Sequence, residues 1–117
     1  MAHIKKLGSI WHLRCSSSIS NWRGKILKRY GFPEVNWPIY EPTVFFGIYH
    51  IFDYLRFILC RKRIAFWAGS DILSLEKTVH WKNIIASLDA EHICENYIEK
   101  QKLYEMGIDA RIQPICL

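Results

Sequence analysis

Hydrophobic residues after Pro42 alternate between continuous runs and helix-like spacing. The first run, residues 43–49, is rich in β-branched and aromatic side chains without polar alternation, which is typical of a strand buried on both faces of a parallel sheet. Apolar positions at helical spacing follow, namely Phe52, Leu55 and Leu59. Basic residues 61–63 come where positive charge complements the C-terminal end of a helix dipole. The pattern predicts a strand followed by a helix.

The second unit repeats this order. The apolar run 64–68 is broken by residues 69–71, and further apolar residues then lie at positions i, i+3, i+4 and i+7. They are Trp81, Ile84, Ile85 and Leu88. Because this spacing puts four side chains on one face of a helix, a second strand and helix are predicted.

A third unit begins with residues 91–95, a short run that predicts a strand. Asn96 and Glu99 follow with the spacing of a capping box, in which two side chains satisfy backbone N–H groups at a helix start. We expect this helix to end at Gly107, because glycine is favoured just beyond a helix C-terminus. The final run, residues 110–116, predicts a fourth strand, which its proline shortens.

Four strands separated by three helices, at a repeat of roughly 20 to 25 residues, is the order of right-handed βαβ crossovers. We therefore expect an α/β fold, a Rossmann-like three-layer α/β/α domain with a mainly parallel sheet over residues 42–117. Residues 1–41 are expected to be a basic segment that packs on this domain or leads into it. Within that segment, residues 9–13 are a candidate strand, and Ser20 or Asn21 is a candidate cap for a short basic helix.

Composition supports a folded domain and draws attention to the N-terminal charge. Half of the 117 residues are hydrophobic, and this much apolar surface excludes a globally disordered chain. The formal net charge is +5, and seven Lys and Arg residues precede the first acidic residue, Glu34. Such a segment could bind phosphate, nucleic acid or an anionic membrane surface. It could equally be the solvent-exposed face of a helix.

The four cysteines lack C-x-x-C pairing and histidines at metal-ligand spacing, so no metal is expected. The sequence also lacks a Gly-rich phosphate loop, and no cofactor is expected. They are Cys15, Cys60, Cys94 and Cys116, and they are typical of reduced core cysteines in a cytoplasmic protein. No continuous apolar signal region opens the chain. The most apolar stretch, residues 44–60, contains Asp53 and Arg56, and because charges are costly inside a bilayer we expect a strand and a buried helix there.

Candidate ligand contacts follow each apolar run, because ligands of open parallel sheets bind outside the carboxyl ends of the strands. The candidates for substrate contact are Gly47, Tyr49, Gly69, Ser70 and Asn96, and the candidate catalytic carboxylates are Asp71 and Glu95. Structural explanations remain open beside these: close backbone packing at Gly47, a turn and helix cap at residues 69–71, and an N-cap at Asn96.

Four segments also occur in a recognisable order after Pro42. They are residues 45–49 (FFGIY), 66–73 (FWAGSDIL), 92–96 (HICEN) and 103–110 (LYEMGIDA), followed by Pro114. This series, which covers Pro42 to Leu117, resembles the N-terminal domain of GT-B glycosyltransferases. In that family a strand commonly ends in a Gly-Ser/Thr-Asp motif, and a later helix closes with a Gly-Ile segment.

The resemblance implies sugar transfer from an activated nucleotide-sugar donor to an acceptor, with this domain on the acceptor side. Asp71 and Glu95 would then contact an acceptor hydroxyl or act as a base. In such enzymes the donor binds mainly to a C-terminal Rossmann-like domain, which would begin where this chain ends, at Leu117. We therefore expect a partner domain in cis or in trans, and no activity from this chain alone. The chain would be a truncated enzyme, one component of a split enzyme, or a standalone binding protein.

Two other hypotheses follow from the same residues. One is a non-catalytic module whose basic arm, with Trp11, Trp22 and Tyr30, contacts nucleic acid or the anionic inner face of a membrane. Nucleic acid is the less favoured partner, since these aromatic residues can equally fill the core. A response-regulator-like domain is disfavoured, because it needs an acidic cluster after the first strands.

Overall fold

The computed structural model describes residues 11–19, 22, 24–26, 28, 31–35, 37 and 42–113. These residues form a five-stranded sheet in which the strands lie in sequence order and every neighbouring pair is parallel. The strands are β1 (His12–Cys15), β2 (Thr43–Phe46), β3 (Arg63–Phe66), β4 (Glu91–Cys94) and β5 (Ala110–Ile112). The register aligns Val44 of β2 with Leu13 of β1 and Ile64 of β3.

Helices connect the strands from β2 onward. Within the described residues they are α1 (Ile51–Leu59), α2 (Ser70–Glu76), α3 (Val79–Ser87) and α4 (Tyr97–Glu105). A 3₁₀ turn, Ser17–Ile19, follows β1, and the backbone is helical at residues 22, 24–26 and 28. The predicted α/β fold with a parallel sheet is confirmed.

The four strands predicted after Pro42 are confirmed, although each is shorter than its apolar run. The first of them stops at Phe46, because Gly47 adopts φ +78°, a left-handed backbone that leaves the sheet ladder. The strand predicted at residues 9–13 lies too early: β1 runs on to Cys15, which pairs with Phe46. Residues 9 and 10, the candidate caps at 20 and 21, and residues 114–117 lie outside the described residues.

Side chains of the sheet alternate between two cores, one on each face. The first core joins the sheet to all four helices and includes Phe45, Trp67, Phe57, Leu75, Ile85 and Leu103. The second includes Leu13, Val44, Phe46, Ile64, Phe66 and Ile26. Because Ile26 has a helical backbone, helical residues lie on both faces of the sheet and the domain has three layers.

The chain reverses its direction across the sheet after β1. Residues 33–35 pair in parallel with β1: the Leu13 N–H donates to the Pro33 carbonyl at 2.8 Å, and the Val35 N–H donates to the Leu13 carbonyl at 2.9 Å. This pairing lies on the opposite side of β1 from β2, since β2 already occupies the other edge. When right-handed crossovers run in opposite directions along a sheet, their helices lie on opposite faces of it. This is observed here, since Ile26 packs on one face and α1 to α4 pack on the other. The carboxyl ends of β1 and β2 therefore form a topological switch point, where doubly wound folds bind ligands.

The buried face of α1 differs from the one that apolar spacing predicts. Phe52 and Leu59 are 57% and 52% exposed, whereas Tyr54 and Phe57 are buried. Tyr54 stacks on Trp81 of α3 at a centroid distance of 5.0 Å. Asp53, in the first turn of α1, is buried as well, and its Oδ2 accepts the hydroxyl of Ser16, which follows β1. The buried side of α1 therefore includes a carboxylate that apolar spacing does not predict.

The second helical prediction is confirmed in α3, with one exception. Ile85 is buried, and Trp81 and Leu88 pack against the first core, but Ile84 is 39% exposed. The short helix α2 precedes α3 and was not expected, since the sequence indicated only a turn and a cap at residues 69–71. Its buried Ile72 and Leu75 belong to the first core.

Basic charge does stabilise the end of α1, through Arg63 at the start of β3. Its guanidinium Nη1 donates to the carbonyls of Phe57 and Ile58, each at 2.8 Å, and of Cys60 at 2.6 Å. These are the carbonyls that a helix C-terminus leaves without partners. The basic residues after α1 therefore complement its dipole, as expected from the sequence.

Two further predictions from the sequence concern the burial of the cysteines and the absence of a membrane-spanning helix. Cys15, Cys60 and Cys94 are buried in the core, as predicted, and Cys116 lies outside the described residues. Among the described residues, no helix combines the length and the apolar character that a bilayer span requires.

A buried histidine links β3 and β4. The Trp67 indole Nε1 donates to Nδ1 of His92 at 3.1 Å, and His92 is only 6% exposed. Burial, with a smaller contribution from the Arg63 charge, lowers the pKa of His92 to about 4. His92 is therefore a neutral acceptor in the folded protein.

We expect the substitution His92→Gln to remove a pH dependence of stability. As the pH falls from 6.5 towards 4, the unfolded chain binds a proton that the folded chain does not, so the wild type should lose about 3 kcal/mol of unfolding free energy relative to the variant. Urea denaturation of both proteins across this range measures the difference, in which the contributions of other titrating groups cancel. A difference that stays constant would contradict the neutral, buried state of His92.

Candidate functional site

Asp53 holds the loop between β2 and α1. Its Oδ2 accepts hydrogen bonds from the backbone N–H groups of Tyr49 at 3.0 Å and His50 at 3.1 Å. The same oxygen accepts the Ser16 hydroxyl at 2.6 Å. Because Ser16 directly follows β1, this one carboxylate joins the carboxyl ends of β1 and β2 across the switch point.

Asp71 holds the next loop, between β3 and α2, in the same way. Its Oδ1 accepts the N–H groups of Ala68 and Gly69, each at 2.9 Å, and its Oδ2 accepts the N–H of Ile48 at 3.1 Å. The side chain is fully buried. Burial raises the pKa of Asp71 to about 6, against the lowering effect of these N–H groups. Asp71 thus links the loops that follow β2 and β3.

Glu99 likewise accepts a backbone N–H of the loop that follows β4. Its Oε1 accepts the Glu95 N–H at 3.0 Å, and its own N–H donates to Oδ1 of Asn96 at 2.9 Å. Asn96 is the N-cap of α4, so the predicted cap is confirmed. The second bond of the predicted capping box differs, because the Glu99 carboxylate accepts the N–H of Glu95 and not that of Asn96. A side chain added at Gly69 would lie 3.1 Å from Oε2 of Glu99, so these loops also pack closely against each other.

The three acids share one arrangement: each lies in the first turn of a helix and accepts the N–H groups of the loop before it. Asp53, Asp71 and Glu99 occupy the second or third position of α1, α2 and α4. N–H groups at such places bind phosphate in many α/β proteins. Here the protein's own carboxylates accept them, so the loop N–H groups that the three acids bind are not open to a phosphate.

A cleft of about 280 Å³ opens at these strand ends. Phe46 and Phe66 form its floor, with their rings stacked at a centroid distance of 5.0 Å. The N-terminal segment supplies one wall through Ile19, Trp22 and Ile26, and the loops supply Gly47, Tyr49, Ala68, Ser70 and Glu95. The cleft therefore has an aromatic interior and a polar rim.

Tyr49 closes one side of the cleft. Its hydroxyl lies 2.8 Å from the Ser70 Oγ, which joins the loops after β2 and β3 a second time. Burial raises the pKa of the Tyr49 phenol, so the hydroxyl keeps its proton. The Tyr49 ring lies against Gly47, where an added Cβ would come 2.8 Å from the ring and 3.1 Å from Ile19.

Glu95 supplies the carboxylate of the rim. No described group forms a hydrogen bond or an ion pair with this carboxylate. Burial raises its pKa, and the nearby Glu99 charge raises it further. Glu95 is therefore a half-buried anion without a counter-ion among the described residues.

The structure brings four of the sequence-predicted site residues into the cleft wall: Gly47, Tyr49, Ser70 and Glu95. Gly69, Asp71 and Asn96 lie behind them, in the hydrogen bonds and close packing that shape the loops. The two candidate carboxylates therefore differ, since Glu95 lines the cleft and Asp71 is fully buried.

Sequence reasoning missed the aromatic part of the site. From the sequence, Phe46 and Phe66 are indistinguishable from other core residues, and Trp22 is only part of a basic arm, whereas the structure places all three in the lining of the cleft. No local motif marks them, because they meet only through strand pairing and the reversal after β1. Among the described residues, no group of three or more His, Cys, Asp or Glu side chains could hold a metal ion.

Fold and site together define a doubly wound α/β domain with a small aromatic cleft at its switch point. No protein-family model matches the chain, and neither a curated protein nor a solved structure matches it.

We expect Gly47→Ala to displace Tyr49 and open the cleft. Gly31→Ala is a matched control, because Gly31 has a similar φ of +69° but no atom within 4 Å of an added Cβ. Both variants should lose about 1 kcal/mol to backbone strain, and Gly47→Ala about 1 kcal/mol more through the lost Tyr49–Ser70 hydrogen bond. Chemical denaturation gives the two unfolding free energies, and equal values would contradict the packing of Tyr49 against Gly47.

Proposed function

We propose that the chain binds a small polyhydroxylated ligand, of the size of one sugar ring, in the strand-end cleft. The proposal rests on one combination: stacked aromatic side chains, two hydroxyl groups and an unpaired carboxylate line the same cavity. Sugars present an apolar C–H face and a set of hydroxyl donors, so both halves of such a ligand find partners here.

The dimensions of the cleft favour a single ring. Its volume of about 280 Å³ lies just below the range of about 300 to 1,000 Å³ for drug-sized ligands. The floor is formed by Phe46 and Phe66, and the exposed ring of Trp22 stands at the wall. Because Phe46 and Phe66 are only 2% and 1% exposed, Trp22 offers the open aromatic face, and a sugar ring packed on it would have Tyr49 and Glu95 as polar neighbours.

We further propose that this role is the acceptor side of sugar transfer, as the resemblance to GT-B glycosyltransferases implies. A nucleotide-sugar donor carries phosphates, which need free N–H groups or cationic side chains. The loop N–H groups bound by Asp53, Asp71 and Glu99 do not meet this need. Transfer would therefore need a donor-binding domain in cis or in trans, and we expect none from this chain alone.

Titration of the full chain with glucose, galactose and mannose tests the proposal through the indole ¹H–¹⁵N signals of its tryptophans. The Trp22 signal should shift and saturate with at least one sugar. Calorimetry with that sugar should show that Trp22→Ala weakens binding about tenfold, the loss expected for one aromatic contact.

Trp37→Ala is the matched control, because Trp37 is 44% exposed against 46% for Trp22 and does not line the cleft. It should leave binding unchanged. Absence of saturable shifts with every sugar, or equal losses in the two variants, would overturn the proposal.

A further inference from the structure

We propose that the ligand of the cleft carries a protonated amine, which pairs with Glu95 in the binding site. This inference rests on the proposed function and narrows its ligand class from polyhydroxylated molecules to amino sugars. It follows from the charges around the cleft, the hydrogen-bonding groups that the protein leaves open, and the aromatic walls.

Negative charge gathers at this edge of an otherwise basic protein. Glu95 lines the cleft, Glu99 lies beside it in α4, and the buried Asp53 and Asp71 stand behind the loops. An anion held partly out of water without a partner costs free energy, and a bound cation would recover it. Glu95 is the member of this group that a ligand in the cleft can reach.

The nearby cations do not neutralise Glu95. Arg56 pairs with Asp53, with 3.8 Å between Nη1 and Oδ1. Lys25 stands over the ring of Trp22 with its Nζ 5.4 Å from the ring centroid, and no ion pair joins it to a described carboxylate. Among the described residues, neither Arg56 nor Lys25 forms an ion pair with Glu95.

Several loop N–H groups that would favour an anion already have partners. The loop N–H groups bound by Asp53, Asp71 and Glu99 cannot turn towards a phosphate or carboxylate without breaking those bonds. The polar side chains that line the cleft carry the Glu95 carboxylate and the hydroxyls of Tyr49 and Ser70. A carboxylate beside aromatic faces is the combination that binds organic ammonium groups, through ion pairing and cation–π attraction.

The experiment is calorimetric or NMR titration of the full chain with glucosamine, N-acetylglucosamine and glucose at about pH 6.5, below the pKa of an ordinary amine. Glucosamine should bind about tenfold more tightly than glucose, as expected for one charge-assisted hydrogen bond. N-acetylglucosamine should show no such gain, since its nitrogen is a neutral amide. The gain should also shrink as salt is raised, because part of it is electrostatic.

Glu95→Gln should erase the preference for glucosamine, so that glucosamine and glucose bind with equal affinity, because the amide carries no charge. The affinity for both sugars should fall, because their hydroxyl groups lose a charged acceptor. Glu105→Gln is the matched control, because Glu105 is an exposed residue at the opposite end of α4. It should leave the preference intact.

The outcomes separate the two proposals. Equal affinities for glucosamine and glucose, or a preference that survives Glu95→Gln, would overturn the amine inference while sugar binding stands. Failure of all three ligands to bind would overturn the proposed function itself.

Discussion

The structure depends on carboxylates that accept the backbone N–H groups of its strand-end loops. Wherever a parallel strand leads into a helix, the first N–H groups of the helix and those of the loop lack partners. Asp53, Asp71 and Glu99 meet this need from the first turn of α1, α2 and α4. Such bonds are charge-assisted and lie at the positive end of a helix dipole, so each is stronger than a neutral hydrogen bond.

Packing and site geometry follow from these three acids. In α1, Asp53 is buried together with Tyr54 and Phe57. Phe52 and Leu59 are exposed, although they are as apolar as the buried residues Tyr54 and Phe57. Asp71 ties the loops after β2 and β3 together, which holds Tyr49 beside Ser70 at the edge of the cleft. The same acids occupy N–H groups that could hold a phosphate, whereas the Glu95 carboxylate, which lines the cleft, has no hydrogen-bond or ion-pair partner among the described residues. The three acids therefore fix the loops, and by accepting these N–H groups they disfavour a phosphate ligand, which agrees with the ligand class that we propose.

Much of this fold could be predicted from the sequence, because β2 to β4 are short apolar runs that are largely buried on both faces, and helix signals separate the strands up to β5. The cap at Asn96 could be predicted too, since its hydrogen bonds are local. The reversal after β1 could not, because it depends on the pairing of Leu13 with residues more than twenty positions away. The cleft was predictable only at its polar rim, where the strand-end rule applies to Gly47, Tyr49, Ser70 and Glu95. Its aromatic floor and wall come together through that reversal and carry no local signal.

Amide hydrogen exchange of the full chain, resolved residue by residue by NMR, tests the role of the three acids most directly. The loop amides of Ile48, Tyr49, His50, Ala68, Gly69 and Glu95 should exchange as slowly as a sheet amide such as that of Trp67, which donates to the Ile93 carbonyl. Exchange of these loop amides at the rates of an unstructured chain, while Trp67 stays protected, would show that the carboxylates do not hold the loops and would contradict the account.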